Sequence, residues 1–479
     1  MQKEITMAKE FIVAIELGSS KITGLAGKKN IDGSISVLAS VREDSTSFIR
    51  KGVVHNIDKT AQCIAGIVQK LSTALKTEIK QAYVGVGGQS IHSIRNTVTM
   101  ELAPDTIVTQ QMVDELMDSN GTVEYDGQEL LDAVAQEYEV DNREEVEPVG
   151  IQCTRLQGVY LNILCRQTFY SRLNKCFDQA GVRIAEMYLA PLALADAVLT
   201  DTERRSGCAL VDLGADTTTV AVYHRNILRH LVVIPLGANN ITKDIASLQM
   251  EESRAEKMKM EYGRAFTPNA DIDDSLMLSV DDGSSVENRR FIEIVEGRVF
   301  EIIENVKVQI DEFKSLLLGG IIITGGGSNL RDIERAFRER MEIDKVRRAG
   351  FVTLAITAGD NFITSRNAMM NTALALLAKG DMNCAGQPLN ANPSIFDDGR
   401  QGATDTRDPR DPKVLKPGEV QTEAEKQKLA DRKKQEEEER ARKEEEDRLK
   451  AEEEAKNRGL RGVFRRMGNN LRKYIAEDE

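Results

Sequence analysis

Apolar and polar positions follow one pattern in two stretches about two hundred residues apart, FIVAIELGSSKITGLA (Phe11 to Ala26) and GCALVDLGADTTTVAV (Gly207 to Val222). In each, a short apolar run ends in a carboxylate (Glu16, Asp212), a leucine and a glycine (Gly18, Gly214). Small hydroxyl-bearing residues and a second β-branched run follow. The pattern predicts a strand, a tight turn and a strand, made twice. A third run, GGIIITGGGSNLRDIERAF (Gly319 to Phe337), predicts a strand, then a turn at Gly325, Gly326 and Gly327. After Asn329 it predicts a helix with Leu330, Ile333 and Phe337 on its inner face. Helical spacing also marks Thr60 to Lys76 and Asn367 to Gly380. Between Ala82 and Gln167, strand-like ends flank an acidic middle, VTQQMVDELMDSN and QELLDAVAQEYEV, that reads as helical. The acidic stretch ADIDDSLMLSVDDGSSVEN reads as a mobile loop inside a helical region.

After Gly380 the pattern changes twice. Gln387 to Val420 is rich in Pro, Gly, Asp and Asn and poor in apolar residues, so it cannot bury enough surface to order itself and reads as a linker. Thr422 to Arg458 is almost pure Glu, Lys, Arg and Ala, with i,i+4 pairs such as Glu436 with Arg440 and Glu444 with Arg448. It lacks an apolar seam, so a solvated single helix or plain disorder is expected rather than a coiled coil. In the last segment Leu460, Val463, Phe464, Met467, Leu471, Tyr474 and Ile475 fall on one helical stripe. Arg458, Arg461, Arg465, Arg466, Arg472 and Lys473 occupy the rest. An apolar stripe opposite a basic face suits an anionic membrane surface.

Composition narrows the classes. A net charge of −13 argues against general nucleic-acid binding, and no Trp with 5% aromatic residues leaves few platforms for base stacking. The six cysteines show no CxxC pair or zinc spacing and read as reduced thiols of a cytoplasmic protein. The opening MQKEITMAKE has acids and no apolar core, so no signal peptide is expected. No run approaches the 18 or so apolar residues of a spanning helix. Four histidines, none in a metal or nucleophile motif, supply no stand-alone catalytic group.

The candidate chemistry lies in the turns. A hairpin carrying Gly18, Ser19, Ser20 and Lys21, or Gly214, Thr217 and Thr218, brings backbone N–H groups, hydroxyls and a cation close to an anion without a bulky side chain in the way. Strand-end carboxylates such as Glu16 and Asp212 can hold Mg²⁺ directly or through water. Two facing copies would clamp a polyphosphate. Three glycines at Gly325 to Gly327 let the backbone lie flat against a planar or phosphorylated group.

Paired phosphate hairpins followed by a TGGG loop resemble the actin, Hsp70 and sugar-kinase ATPase superfamily, and within it the FtsA family of actin-like bacterial division proteins. The likeness runs from about Phe11 to Lys379. AYVGVGGQSIHSIRN (Ala82 to Asn96) is similar to the opening of that family's inserted subdomain 1C. AEKMKMEYGRA (Ala255 to Ala265) is similar to the helix that offers a Glu and a Lys, here Glu256 and Lys259, to the nucleotide ribose.

The resemblance implies an α/β, actin-like two-lobed fold that binds ATP and Mg²⁺ and self-associates into filaments. It also implies a peripheral protein on the cytoplasmic face of the inner membrane at the division site. Such a protein would bind the FtsZ tail through the helical subdomain within about 241–318, and would bind anionic lipid through Leu460, Val463, Phe464, Arg465, Arg466, Met467, Leu471, Arg472, Lys473, Tyr474 and Ile475. The expected divisions are 1–81 and 168–205 for the first lobe, 82–167 for the insert and 206–362 for the second lobe. They continue with 363–385 for a closing helix, 386–457 for a charged linker and 458–479 for the amphipathic helix. The chain departs from the family pattern at Glu16, where Asp is usual, and at Ala215, Asp216 and Thr219, which replace two glycines and an Asp. These changes put efficient hydrolysis in doubt and lead us to expect Asp216 to repel a phosphate at short range. The alternatives are an actin-like adapter of pilus assembly or shape determination, and a soluble phosphotransferase of the same superfamily.

Overall fold

The two apolar runs fold as their alternation requires. In the computed structural model, which describes residues 10–280, 285–385 and 416–432 together with Lys434 and Arg442, strand Ile12–Leu17 turns into Lys21–Lys29 with Leu17 opposite Ile22. Strand Cys208–Leu213 turns into Thr218–His224 with Leu213 opposite Thr218. Described residues up to Gln421 form one unit, and those from Thr422 form another.

Around the first hairpin the sheet runs Ile356–Ala358, Ile35–Asp44, Lys21–Lys29, Ile12–Leu17, Gln81–Val86, Arg183–Leu189 and Glu419–Val420. The pairs Ile12–Leu17 with Gln81–Val86 and Gln81–Val86 with Arg183–Leu189 are parallel. Such strands are covered on both faces and read as near-continuous apolar runs. Helix Ile57–Leu75 packs on one face, where a side chain at Gly24 would strike Ile67. Helix Asn371–Lys379 packs on the other, where one at Gly85 would strike Leu376. The first helix is capped by Asn56, whose Oδ1 accepts from the Lys59 N–H at 2.9 Å, and it ends at Lys76 in the left-handed region.

In the second lobe, Gly320–Thr324 lies parallel to Cys208–Leu213, and Val346–Arg348 extends the sheet. Period-two burial divides the central strand between two cores. Ala209, Val211 and Leu213 join Val295, Ile303 and Phe337 on one side, while Cys208 and Leu210 join the first-lobe core.

Several expectations are corrected. The insert does not begin at Ala82, because Gln81–Val86 is an inner strand of the first-lobe sheet. QELLDAVAQEYEV is not helical. It forms strand Gln128–Val140, pairing along Gln152–Arg166, which in turn pairs with His92–Ile107. Pairing with a long neighbour outweighs the high helix propensity of Glu, Leu and Ala, which is worth less than about 1 kcal/mol per residue. The insert also leans on the second lobe: His92 pairs with Val232, the Leu231 N–H donates to Ser93 Oγ at 2.8 Å, and one sheet runs through both.

The acidic stretch expected to be a mobile loop includes strands Met277–Ser279 and Ser285–Glu287, paired and pinned by the buried Leu278; residues 281–284 lie outside the described residues. The linker, too, ends in order, since Glu419–Val420 pairs with Met187 and Tyr188. In the second unit residues 423–432 are helical behind a capping box in which Thr422 and Glu425 bond each other's backbone N–H groups. Most of the charged stretch and all of 458–479, with the stripe at Leu460 to Ile475, lie outside the described residues. Among the described residues no helix is long and apolar enough to cross a membrane.

Candidate functional site

The twin turns close with the same bond: the Gly18 N–H donates to Lys21 O at 3.0 Å, and the Gly214 N–H to Thr217 O at 2.9 Å. Neither glycine tolerates a side chain, since a Cβ would sit 2.7 Å from Lys21 O or 2.8 Å from Thr217 O. Because Gly320–Thr324 is parallel to Cys208–Leu213 with Thr324 beside Asp212, the triple-glycine turn emerges next to the second hairpin. Gly325 has φ 83°, and a Cβ there would come within 2.2 Å of Asp212 Oδ1. The turn then runs as a 3₁₀ segment, Gly326–Asn329, and helix Ile333–Met341 starts only after Asp332. The helix therefore starts later than the sequence pattern suggested, which placed it directly after Asn329 with Leu330 on its inner face; Leu330 precedes it.

These turns surround a cleft of about 1060 Å³ between the lobes. Its lining includes Glu16, Gly18, Ser19, Ser20, Lys21, Asp212, Gly214, Thr217, Glu256, Lys259, Gly325, Gly326, Gly327 and Asn329. Thr218 is the exception among the candidates. Strand alternation turns it inward, where it is fully buried and its hydroxyl donates to Leu236 O at 2.8 Å.

Three further side chains differ from their expected use. Asp216, expected to crowd a phosphate, is not part of the lining. Its carboxylate accepts from Asn239 Nδ2 at 2.8 Å and from the Lys51 N–H at 3.3 Å, a bond between the lobes. Lys259 spends its three N–H groups on Glu256 at 2.6 Å, Thr242 Oγ1 at 2.8 Å and Ala238 O at 3.1 Å, so it holds Glu256 rather than reaching outward. Asn329 bridges Gly326 O and Asn367 O through its amide nitrogen and accepts from Arg348, fixing the glycine turn to the segment before the closing helix.

Glu16 and Asp212 end the two equivalent strands and face one another across the floor of the cleft. Burial, with the Asp212 charge added, pushes Glu16 up to about 8, while burial alone pushes Asp212 up to about 6; a hydrogen bond with Thr372 works against the rise at Glu16. Two crowded carboxylates short of positive partners fit a divalent cation that also holds phosphate oxygens. Among the described residues no group of three or more His, Cys, Asp or Glu forms a cage that would bind a metal alone.

The sign for stability follows from the raised values. The folded protein keeps its proton at Glu16 up to about pH 8, whereas the unfolded chain releases it near 4.5, so ionisation costs stability increasingly from pH 4.5 to 8. Glu16→Gln should therefore melt higher than the wild type at pH 8 in chelator without nucleotide, with the gap closing toward pH 4. Each pH unit that separates proton release in the folded and unfolded chains is worth about 1.4 kcal/mol. Equal melting temperatures at pH 8 would mean that the pair is solvated.

Sequence reasoning missed Thr372, Asn239 and Lys51, which serve the site by holding other groups, and Arg42, which lies over the Phe362 ring at 3.4 Å on the cleft wall. None of them belongs to a motif. The strand–turn–strand repeat and the triple-glycine turn gave the local signals.

A family model described as "Cell division protein FtsA" matches residues 209–375, and one described as "SHS2 domain inserted in FTSA" matches residues 88–164. The chain is 31% identical over 334 residues to the cell division protein FtsA of Porphyromonas gingivalis, covering 68% of this chain and 70% of that one. It is 30% identical over 329 residues to that of Pseudomonas aeruginosa, covering 67% and 78%. Among solved structures, one described as "PilM-PilN type IV pilus biogenesis complex" superimposes with a TM-score of 0.54 at 15% identity, over 76% of this chain and 97% of that one, a likeness of fold.

Proposed function

The chain belongs to the FtsA family of cell division proteins and has its actin-like fold, and from that premise we propose that it binds ATP between its lobes, assembles into filaments and ties the FtsZ polymer to the inner face of the cell membrane. One observation carries the nucleotide reading: three glycine turns from separate parts of the chain line a single cleft with two carboxylates at its floor. Gly18 to Lys21 and Gly214 to Thr217 would hold the phosphates, with the Lys21 cation and the turn N–H groups facing negative charge. Gly325 to Gly327 would lie against the adenosine, and Glu256, steadied by Lys259, would meet the ribose. Glu16 and Asp212 would hold Mg²⁺, whose charge would favour their ionised form and offset that of the phosphates.

Assembly, rather than turnover, is the expected use of the nucleotide. Thr219 stands on the cleft wall opposite Asp212 in the strand register, and has no carboxylate where the family pattern has one. We expect steady-state ATP hydrolysis well below the roughly 1 per second of a slow kinase, and a phosphate-release assay yielding a faster rate would favour the phosphotransferase reading. Tethering is tested by mixing full chain, FtsZ and anionic vesicles. FtsZ filaments should sediment with vesicles only when the full chain is present.

A further inference from the structure

We propose that the open edge of strand Arg183–Leu189 is a recognition site for an extended peptide, and that its resident ligand is the chain's own segment Lys416 to Gln421. This holds whatever the tail binds.

The segment KPGEV behaves as a docked ligand. The Glu419 N–H donates to Lys416 O at 2.8 Å, closing a turn with Pro417 and Gly418 at its centre and Gly418 at φ 76°, the type II arrangement that Pro-Gly favours. The glycine is required twice over, because a Cβ would also press on Leu192 at 3.2 Å. Beyond the turn, Val420 pairs with Met187 and Glu419 with Tyr188, and the Leu189 N–H donates to Gly418 O at 2.8 Å. Pairing to an open edge is how sheets capture extended segments.

Side chains supply the selectivity. Lys416 Nζ donates to both oxygens of Glu186, at 2.9 and 3.0 Å, and to Asp381 at 2.6 Å, so the buried Glu186 carboxylate is matched by a cation that the segment itself brings. Glu419 caps the turn by accepting from the Lys416 N–H at 3.0 Å. The Gly418 N–H donates to Asp132 Oδ2 of the insert at 3.2 Å, and the Tyr170 hydroxyl donates to Gln421 O. Val420 is 1% exposed. The segment therefore touches the first-lobe sheet, the closing-helix end at Asp381 and the insert at once.

The test uses the full chain and amide hydrogen exchange. In both Val420→Asp and Lys416→Met, the Leu189 amide should exchange at least about ten-fold faster, while Ile12–Leu17 and Cys208–Leu213 keep their protection. A free peptide of residues 413–424 should restore Leu189 protection in the Val420→Asp chain, and the same peptide carrying Val420→Asp should not. Unchanged exchange at Leu189 would show that nothing is docked there. Loss of protection throughout the sheet would show that the segment is core. Failure of the wild-type peptide to restore protection would show that the segment is held by its covalent attachment, not recognised. Any of the three overturns the proposal.

Discussion

Gly326→Val should lower ATP affinity by at least about 100-fold, near 2.7 kcal/mol, while the protein melts within a few degrees of the wild type. Among the three glycines of the turn only this one faces open space, since a Cβ built there meets Met369 Cγ at 3.8 Å and nothing closer. The same addition at Gly325 would come within 2.2 Å of Asp212 Oδ1 and force a side chain into a positive φ, and at Gly327 it would crowd Leu213 at 3.0 Å. Gly325→Val should therefore destabilise the fold, while Gly326→Val should only fill the volume a nucleotide needs. Titration calorimetry with ATP and Mg²⁺ beside thermal unfolding separates the two effects. A folded Gly326→Val chain with wild-type affinity would move the nucleotide away from this turn.

What the sequence made legible was local. The twin hairpins announced themselves because glycine, hydroxyl residues and strand alternation must all fall within a few positions for such a turn to form. The same holds for the triple-glycine turn, whose Thr324 and Gly325 contact Asp212 only because two strands happen to be parallel. The misses share a different cause. Gln128–Val140 has the composition of a helix and became a strand through pairing with Gln152–Arg166 of the same insert. Thr218 and Thr217 look interchangeable in sequence, and the parity of the strand alone buries the first and exposes the second to the cleft. Lys259 was read from the likeness of its helix to the family's, but its use depends on Ala238 and Thr242, which reach it from another helix. Lys416 to Val420 was read as linker from average composition, and the Pro-Gly pair within it was the available turn signal.

Deleting Gly459 to Glu479 should abolish co-sedimentation with anionic vesicles and leave a folded chain with an unchanged cleft. The first half follows from the stripe of Leu460, Val463, Phe464, Met467, Leu471, Tyr474 and Ile475 and the five basic residues removed with it, Arg461, Arg465, Arg466, Arg472 and Lys473. Each of those cations is worth roughly 1 kcal/mol near an anionic surface, and apolar insertion adds to that. The second half follows from the lobe cores: among the described residues both are built from side chains no later in the chain than Val420, so neither loses a member with the last twenty-one residues. Phe464→Glu should remove most of the binding by itself, because it sets a carboxylate in the stripe beside Arg461 and Arg465 and weakens insertion and charge attraction together. Raising salt from 0.1 M to 1 M shortens the screening length from about 10 Å to about 3 Å, so wild-type binding should fall without vanishing, the remainder being the apolar share. Membrane binding by the truncated chain, or its unfolding, would mean that the segment serves the body of the protein, and the tether would have to lie elsewhere.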